Sequence, residues 1–214
     1  SRSETFTPVF TANPDGTTFT PPTSKQDEVG VKLDILGGKV SATFAYYERS
    51  DKNTIVNDPD PIRASAGYRI QKAGDEMSGY ELDLFFTPHP SVQLILAGSK
   101  MDPKNLSGLL TSNIPEDQAS AFGRYEFQDG ALKGFSLGAG YIYRGRRPGD
   151  TGNTFWLPSY DVFDAFASYS WNRYTFNLKV ENLEDKYYAH AAVNRNVISA
   201  GIPRTITVRV SRSF

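Results

Sequence analysis

The chain has 214 residues, 39% of them hydrophobic and 22% charged, and a formal net charge of −1. This balance offers no basic stripe for nucleic acid and no run of about 18 apolar residues for a membrane-spanning helix. Cysteine is absent, which excludes a disulfide framework and thiolate metal centres, while 12 Tyr, 14 Phe and 18 Gly suit strands and turns.

Ser1-Arg2-Ser3 is not a signal peptide, so an exported protein would have its beginning elsewhere. Glu4-Thr5-Phe6-Thr7-Pro8 reads as part of a strand, and residues 9–23 form a loop rich in Pro, Thr, Asn and Gly. Val29, Val31, Leu33 and Ile35 then alternate with Gly30, Lys32 and Asp34, the period-two pattern of a strand whose faces meet different surroundings. Gly37-Gly38 predicts a tight hairpin into a return strand with Val40, Ala42, Phe44 and Tyr46 on one face. Residues 53–65 read as a polar loop, and the next strand is expected from about Gly67 to Phe86. Pro88-His89-Pro90 turns into a strand carrying Val92, Leu94 and Leu96, and a loop covers roughly 103–115. Further strands are expected near 118–127 and 135–145, then on either side of Trp171-Asn172-Arg173, with loops at 146–155 and 190–202. The closing stretch alternates Ile206, Val208, Val210 and Phe214 with Thr205, Thr207, Arg209, Ser211 and Ser213. About ten strands result, with connections alternating between short and long and no helical period.

A soluble β-sandwich would alternate in the same way. Three features favour a membrane barrel. Short turns on one side and long loops on the other match periplasmic turns and extracellular loops. Several strands have room for ten or so residues, enough for a tilted span. Phe86, Phe127, Phe135, Trp171, Tyr174 and Phe214 gather beside the short turns, as interfacial rings do. The opposite parity carries Lys32, Asp34, Glu81, Asp83, Arg124, Glu126, Arg144, Asp164, Lys179, Glu181 and Arg209, which suits a wet or plugged lumen. Arg212 falls on the lipid parity but near the terminus, within reach of headgroups. The fold expected is therefore an all-β, antiparallel transmembrane β-barrel.

Seven segments, in order, resemble the TonB-dependent siderophore receptors of the Gram-negative outer membrane. They are Ser3–Pro8, Glu28–Lys32, Ser78–Leu82, Gly134–Tyr143, Leu157–Asp164, Val180–Tyr188 and Gly201–Phe214, and together they span essentially the whole chain. Two positions depart from the family pattern: Glu184 replaces a usual aromatic and Arg212 a usual Tyr. The resemblance implies a barrel of about 22 strands, of which residues 1–214 would be the C-terminal part, with the plug domain and about twelve earlier strands outside them. It implies uptake of a ferric siderophore and a plug-borne contact with the TonB complex. It further implies an environment of outer-membrane lipid and lipopolysaccharide, and barrel-assembly machinery reading the final strand. Iron would be held by the siderophore, so no protein cofactor is expected. A self-contained ten-strand barrel enzyme, a porin-like protein, a soluble sandwich module, or uptake of haem, cobalamin or a carbohydrate remain the alternatives.

The residues themselves offer little catalysis. No Ser/His/Asp spacing marks a nucleophile, His89 reads as a surface residue in a turn, and His190 as a residue at the start of the last outer loop. A bulky anionic, often aromatic chelate needs Arg for charge and aromatic rings for stacking near the outer mouth. Tyr143, Arg144, Arg146, Arg147, Phe155 and Trp156 cluster around one outer loop and meet that need, with Arg195 in the last loop. Tyr68 and Arg69 are secondary candidates.

Overall fold

The computed structural model describes residues 2–4, 15–72, 74–105 and 107–213. Its strands, in order, are β1 (Arg2–Glu4), β2 (Thr23–Ile35), β3 (Val40–Lys52), β4 (Thr54–Asn57), β5 (Arg69–Lys72), β6 (Glu76–His89), β7 (Val92–Lys104) and β8 (Asp117–Glu126). They continue as β9 (Phe135–Arg144), β10 (Arg147–Pro148), β11 (Trp156–Leu157), β12 (Tyr160–Trp171), β13 (Tyr174–Glu181), β14 (Ala189–Asn194), β15 (Val197–Ala200) and β16 (Thr205–Arg212). Ten of them form one antiparallel sheet in the order β1-β2-β3-β6-β7-β8-β9-β12-β13-β16. Short turns join β2–β3, β6–β7, β8–β9 and β12–β13, and the long connections all leave from the other end. The closing strand β16 pairs with β13, with Val208 opposite Leu178. Phe214 and the segment 5–14 lie outside the described residues, and so do the readings made for them.

The register explains why the sheet stays a single layer. One row runs across nine strands through Ile35, Val40, Phe86, Leu94, Gly123, Ala139, Ala165, Val180 and Ile206, without a charge. Val208 is 71% exposed and Ile206 65%, whereas the buried apolar residues among those described are Ala45, Tyr47, Leu157, Val162 and Ala192. In water this face would be a large uncovered apolar patch; against lipid it is the surface that belongs there. Strands β2, β3 and β7 have 13 residues and β6 has 14, ample for a tilted crossing. Rings band the apolar face at both ends. Tyr125, Phe127, Phe135 and Tyr169 contact one another in sequence beside the short turns, with centroids 4.9, 6.0 and 6.5 Å apart. Phe44, Tyr80 and Tyr46 do the same nearer the long loops, at 5.9 and 5.0 Å.

On the other face, Arg124 pairs with Glu126 at 2.6 Å and Lys179 with Glu181 at 2.8 Å, each two residues along one strand. Spacing by two keeps both partners on the lumen side. Phe122 and Phe166 also project there and stack at 5.4 Å, and Phe166 covers Gly138 so closely that a Cβ at Gly138 would fall within the ring.

The loops hold more structure than the sequence pattern predicts. The strand expected from Gly67 begins instead at Glu76, because β4 and β5 pair as a separate hairpin in the outer loop, with Val56 opposite Ile70. Between them Pro61–Ser65 forms one helical turn, too short to show a period, which Asp60 caps by accepting from the Ile62 N–H at 2.8 Å. The pairs β10–β11 and β14–β15 are likewise small hairpins within the loops at 145–159 and 182–204. His89 serves the turn after β6: its Nδ1 accepts from the Ser91 N–H at 3.2 Å.

Candidate functional site

Three long loops meet at the end of the wall opposite the short turns: 105–116, 145–159 and 182–204. Two of them, 145–159 and 182–204, share a support in Arg147, 2% exposed. Its guanidinium donates to the carbonyls of Ala189 at 2.5 Å and His190 at 2.8 Å, and at 3.4 Å to those of Gly145 and Pro158. Burial lowers the Arg147 pKa, yet a guanidinium stays charged at any physiological pH. The guanidinium also lies 5.1 Å from the Tyr160 ring centre, and Tyr160 stacks on Tyr188 at 4.2 Å. Tyr188 in turn rests on Gly201, where a Cβ would overlap its ring. One column thus runs from Arg147 through Tyr160 and Tyr188 to Gly201 and ties the last loop to β12. Gly201→Ala is expected to cost the loop about 1–3 kcal/mol by overpacking. Hydrogen exchange over 182–204 checks this, and unchanged protection would refute it.

The same loop closes on Asn182, which is buried with a left-handed φ of 50°. Its Nδ2 donates to the carbonyls of Lys186 and Ile202 at 2.8 and 2.9 Å, while its Oδ1 accepts from the Lys186 N–H at 2.9 Å. Lys186 Nζ reaches Asp161 at 2.9 Å, a hydrogen bond that holds the ammonium above its usual pKa. The motifs around Tyr160, Asn182, Tyr188 and Gly201 therefore form a device for closing the last loop.

Above this support lie the residues suited to a ligand. Arg146 is exposed and sits 4.2 Å over the Trp156 ring. Arg195, from the last loop, sits 5.7 Å over Phe155 and donates to the Thr154 carbonyl. Thr154 is itself held by Asp150, through Oγ1 at 2.5 Å and N–H at 2.8 Å, and these bonds keep the Asp150 carboxyl below the usual range. The structure thus brings Arg146, Phe155, Trp156 and Arg195 together.

The other candidates fall elsewhere. Arg147 is spent beneath them on backbone carbonyls. Tyr143 is on the lipid-side parity of β9, registered with Ala119 and bonded to Asp117. Arg144 takes the lumen parity, in a row with Glu81, Ser99, Gln118 and Tyr160. That part of the wall has a recess of about 410 Å³ lined by Glu81, Asp83, Ser99, Gln118, Ser120 and Arg144. Tyr68 and Arg69 belong to the separate loop that carries β5. Sequence reasoning missed the column residues Tyr160 and Tyr188, and the loop asparagines Asn113 and Asn153. Their signal was the family motif in the first case and only turn-forming composition in the second.

A single antiparallel sheet with one lipid-suited face, long loops at one end and short turns at the other is the wall of an outer-membrane β-barrel. Residues 2–183 match the family described as TonB dependent receptor-like, beta-barrel, and the chain belongs to that family. It is 32% identical over 222 residues to the metal-pseudopaline receptor of Pseudomonas aeruginosa, covering 99% of this chain and 30% of the relative. It is 28% identical to the ferrichrome outer membrane transporter/phage receptor of Escherichia coli, covering 100% of this chain and 30% of that protein. The solved ferripyoverdine receptor of Pseudomonas aeruginosa shares the fold, with a TM-score of 0.78 and 21% identity over 98% of this chain and 29% of its own. The chain thus spans about 30% of the length of the curated relatives it matches.

Proposed function

We propose that this chain is the C-terminal part of the barrel of a receptor that imports a ferric siderophore, energised through a plug domain and the TonB complex. The observation that carries the reading is the paired surface at the outer loops, Arg146 on Trp156 and Arg195 on Phe155. Two guanidiniums backed by rings suit a large, flat, anionic chelate, because each offers charge and a stacking face together. The relatives support that class, since their names specify metal-pseudopaline and ferrichrome. Such a protein is a receptor and not an enzyme: its residues bind and release, and the iron stays in the chelate.

Arg146, Trp156, Phe155 and Arg195 make the contacts in this reading, with Arg147 as their support and Arg144 on the path below. Lipopolysaccharide would meet the collar of Lys25, Asp27, Asp102 and Lys104, where Lys25–Asp27 and Lys104–Asp102 pair at 2.5 and 2.7 Å. The final strand would be read by the barrel-assembly machinery.

Equilibrium binding of a panel of ferric hydroxamate and catecholate complexes to the detergent-purified receptor tests the site. Arg146→Ala should weaken the bound complex about tenfold, the effect of losing roughly 1.4 kcal/mol of cation–π and charge contact. Equal affinity in that variant would remove Arg146 from the site.

A further inference from the structure

Two asparagines outside the ligand-contact group join the three outer loops. Asn153 Oδ1 accepts from the Leu110 N–H at 3.0 Å, and its Nδ2 donates to the Leu110 carbonyl at 2.8 Å. Asn113 does the same one loop further on: Nδ2 donates to the Ala192 carbonyl at 2.9 Å, and Oδ1 accepts from the Ala192 N–H at 2.7 Å. Each side-chain amide thereby stands in for the peptide group of a neighbouring strand, satisfying both backbone groups of one residue as an antiparallel pair would. The Asn113 N–H adds a bond to the Pro148 carbonyl at 2.8 Å, and Asn105 Nδ2 one to the Thr151 carbonyl at 3.0 Å.

Loop 105–116 supplies none of the four contact residues, yet it is bonded to both loops that do. Phe155 and Trp156 belong to one of those loops and Arg195 to the other, and loop 105–116 adds a common brace to the direct bonds that Arg147 and Arg195 make between them. We propose that Asn113 and Asn153 are positioning residues, which fix loops 145–159 and 182–204 to loop 105–116 so that the two Arg–aromatic pairs stand preformed. A preformed surface avoids ordering three loops at the moment of binding, a cost that otherwise subtracts from affinity. The ligand side of this inference rests on the function proposed above; the brace rests on the hydrogen bonds alone.

A plainer account exists for both residues. Asn113 and Asn153 have left-handed φ values of 64° and 54°, which asparagine tolerates better than most residues. Glycine tolerates that conformation better still, and it carries no amide. Glycine variants therefore separate the two accounts: if only the backbone matters they are neutral or better, and if the amide matters the loops come apart.

The experiment is hydrogen exchange by mass spectrometry on the detergent-purified receptor, with Asn113→Gly, Asn153→Gly and the double variant. Asn113→Gly should speed exchange around Ala192, and Asn153→Gly around Leu110, each on the order of tenfold as two bonds are lost. Asn113→Asp keeps the acceptor but sets a carboxylate against the Ala192 carbonyl, so it should loosen the same peptide. For whichever ferric complex the unsubstituted receptor binds, the double variant should lose roughly tenfold in affinity, mainly in association rate, because the competent population falls. Removing a direct contact such as Arg146 should instead speed dissociation. Unchanged exchange in the glycine variants overturns the brace. Faster exchange with unchanged affinity and association overturns the positioning role. A receptor that binds no complex in the panel sinks the ferric-chelate reading instead, while the exchange result still upholds or overturns the brace.

Discussion

Arg147→Lys is expected to destabilise the outer loops by about 2–4 kcal/mol, although it keeps the charge. The guanidinium is buried and serves four carbonyls on two loops, from Gly145 to His190. A lysine ammonium has three donors on a point charge and no planar fork, so at least one buried carbonyl loses its partner. It also loses the flat face that lies over Tyr160, and with it the top of the column that ends on Gly201. Hydrogen exchange across 145–159 and 182–204 should rise together, while the strands below keep their protection. Equal protection in the lysine variant would show that the charge alone does the holding.

Leu96→Lys and Ala97→Lys should differ sharply although the positions are adjacent. Leu96 registers with Leu84 and Ala121 on the apolar face, where lysine costs about 2–4 kcal/mol near the bilayer midplane. Ala97 registers with Asp83 and Ser120 on the lumen face and borders the recess there, so a lysine finds both water and a carboxylate. The folded fraction, read as the compact band of unheated receptor on a denaturing gel, should fall for Leu96→Lys and hold for Ala97→Lys. Similar folded fractions for the two would contradict the assignment of faces.

The strands were legible because lipid enforces a rule on every second residue. Val29 to Ile35 and Ile206 to Val210 could be placed on a face from alternation alone, and the register bears this out. The loops obey no such rule. Residues 67–72 alternate as a strand would, yet 69–72 pair with 54–57 and stand apart from the wall. The grouping of Arg146, Phe155 and Trp156 was visible because they are close in sequence. The burial of Arg147 was not, because carbonyls more than 40 residues away bury it. Alternation already set Tyr143 on the face opposite Arg144, yet closeness in sequence alone placed both in one ligand cluster. Asn113 and Asn153 have the composition of any turn; only the distant partners Ala192 and Leu110 distinguish them.

The middle of the row that crosses the wall, Gly123, Ala139 and Ala165, carries only small residues on its lipid face, while Phe122 and Phe166 stack behind it. Bulk has been moved from one side of the backbone to the other. At that level the wall presents less bulk to the acyl chains of the bilayer over β8, β9 and β12. Flanking strands hold them off with Leu84, Leu96, Leu178 and Val208. On the inside, the same rings form a ledge at that level. The wall is thus neither smooth to its lipid nor uniform on its inner face, and small residues on both sides of the backbone set the two irregularities.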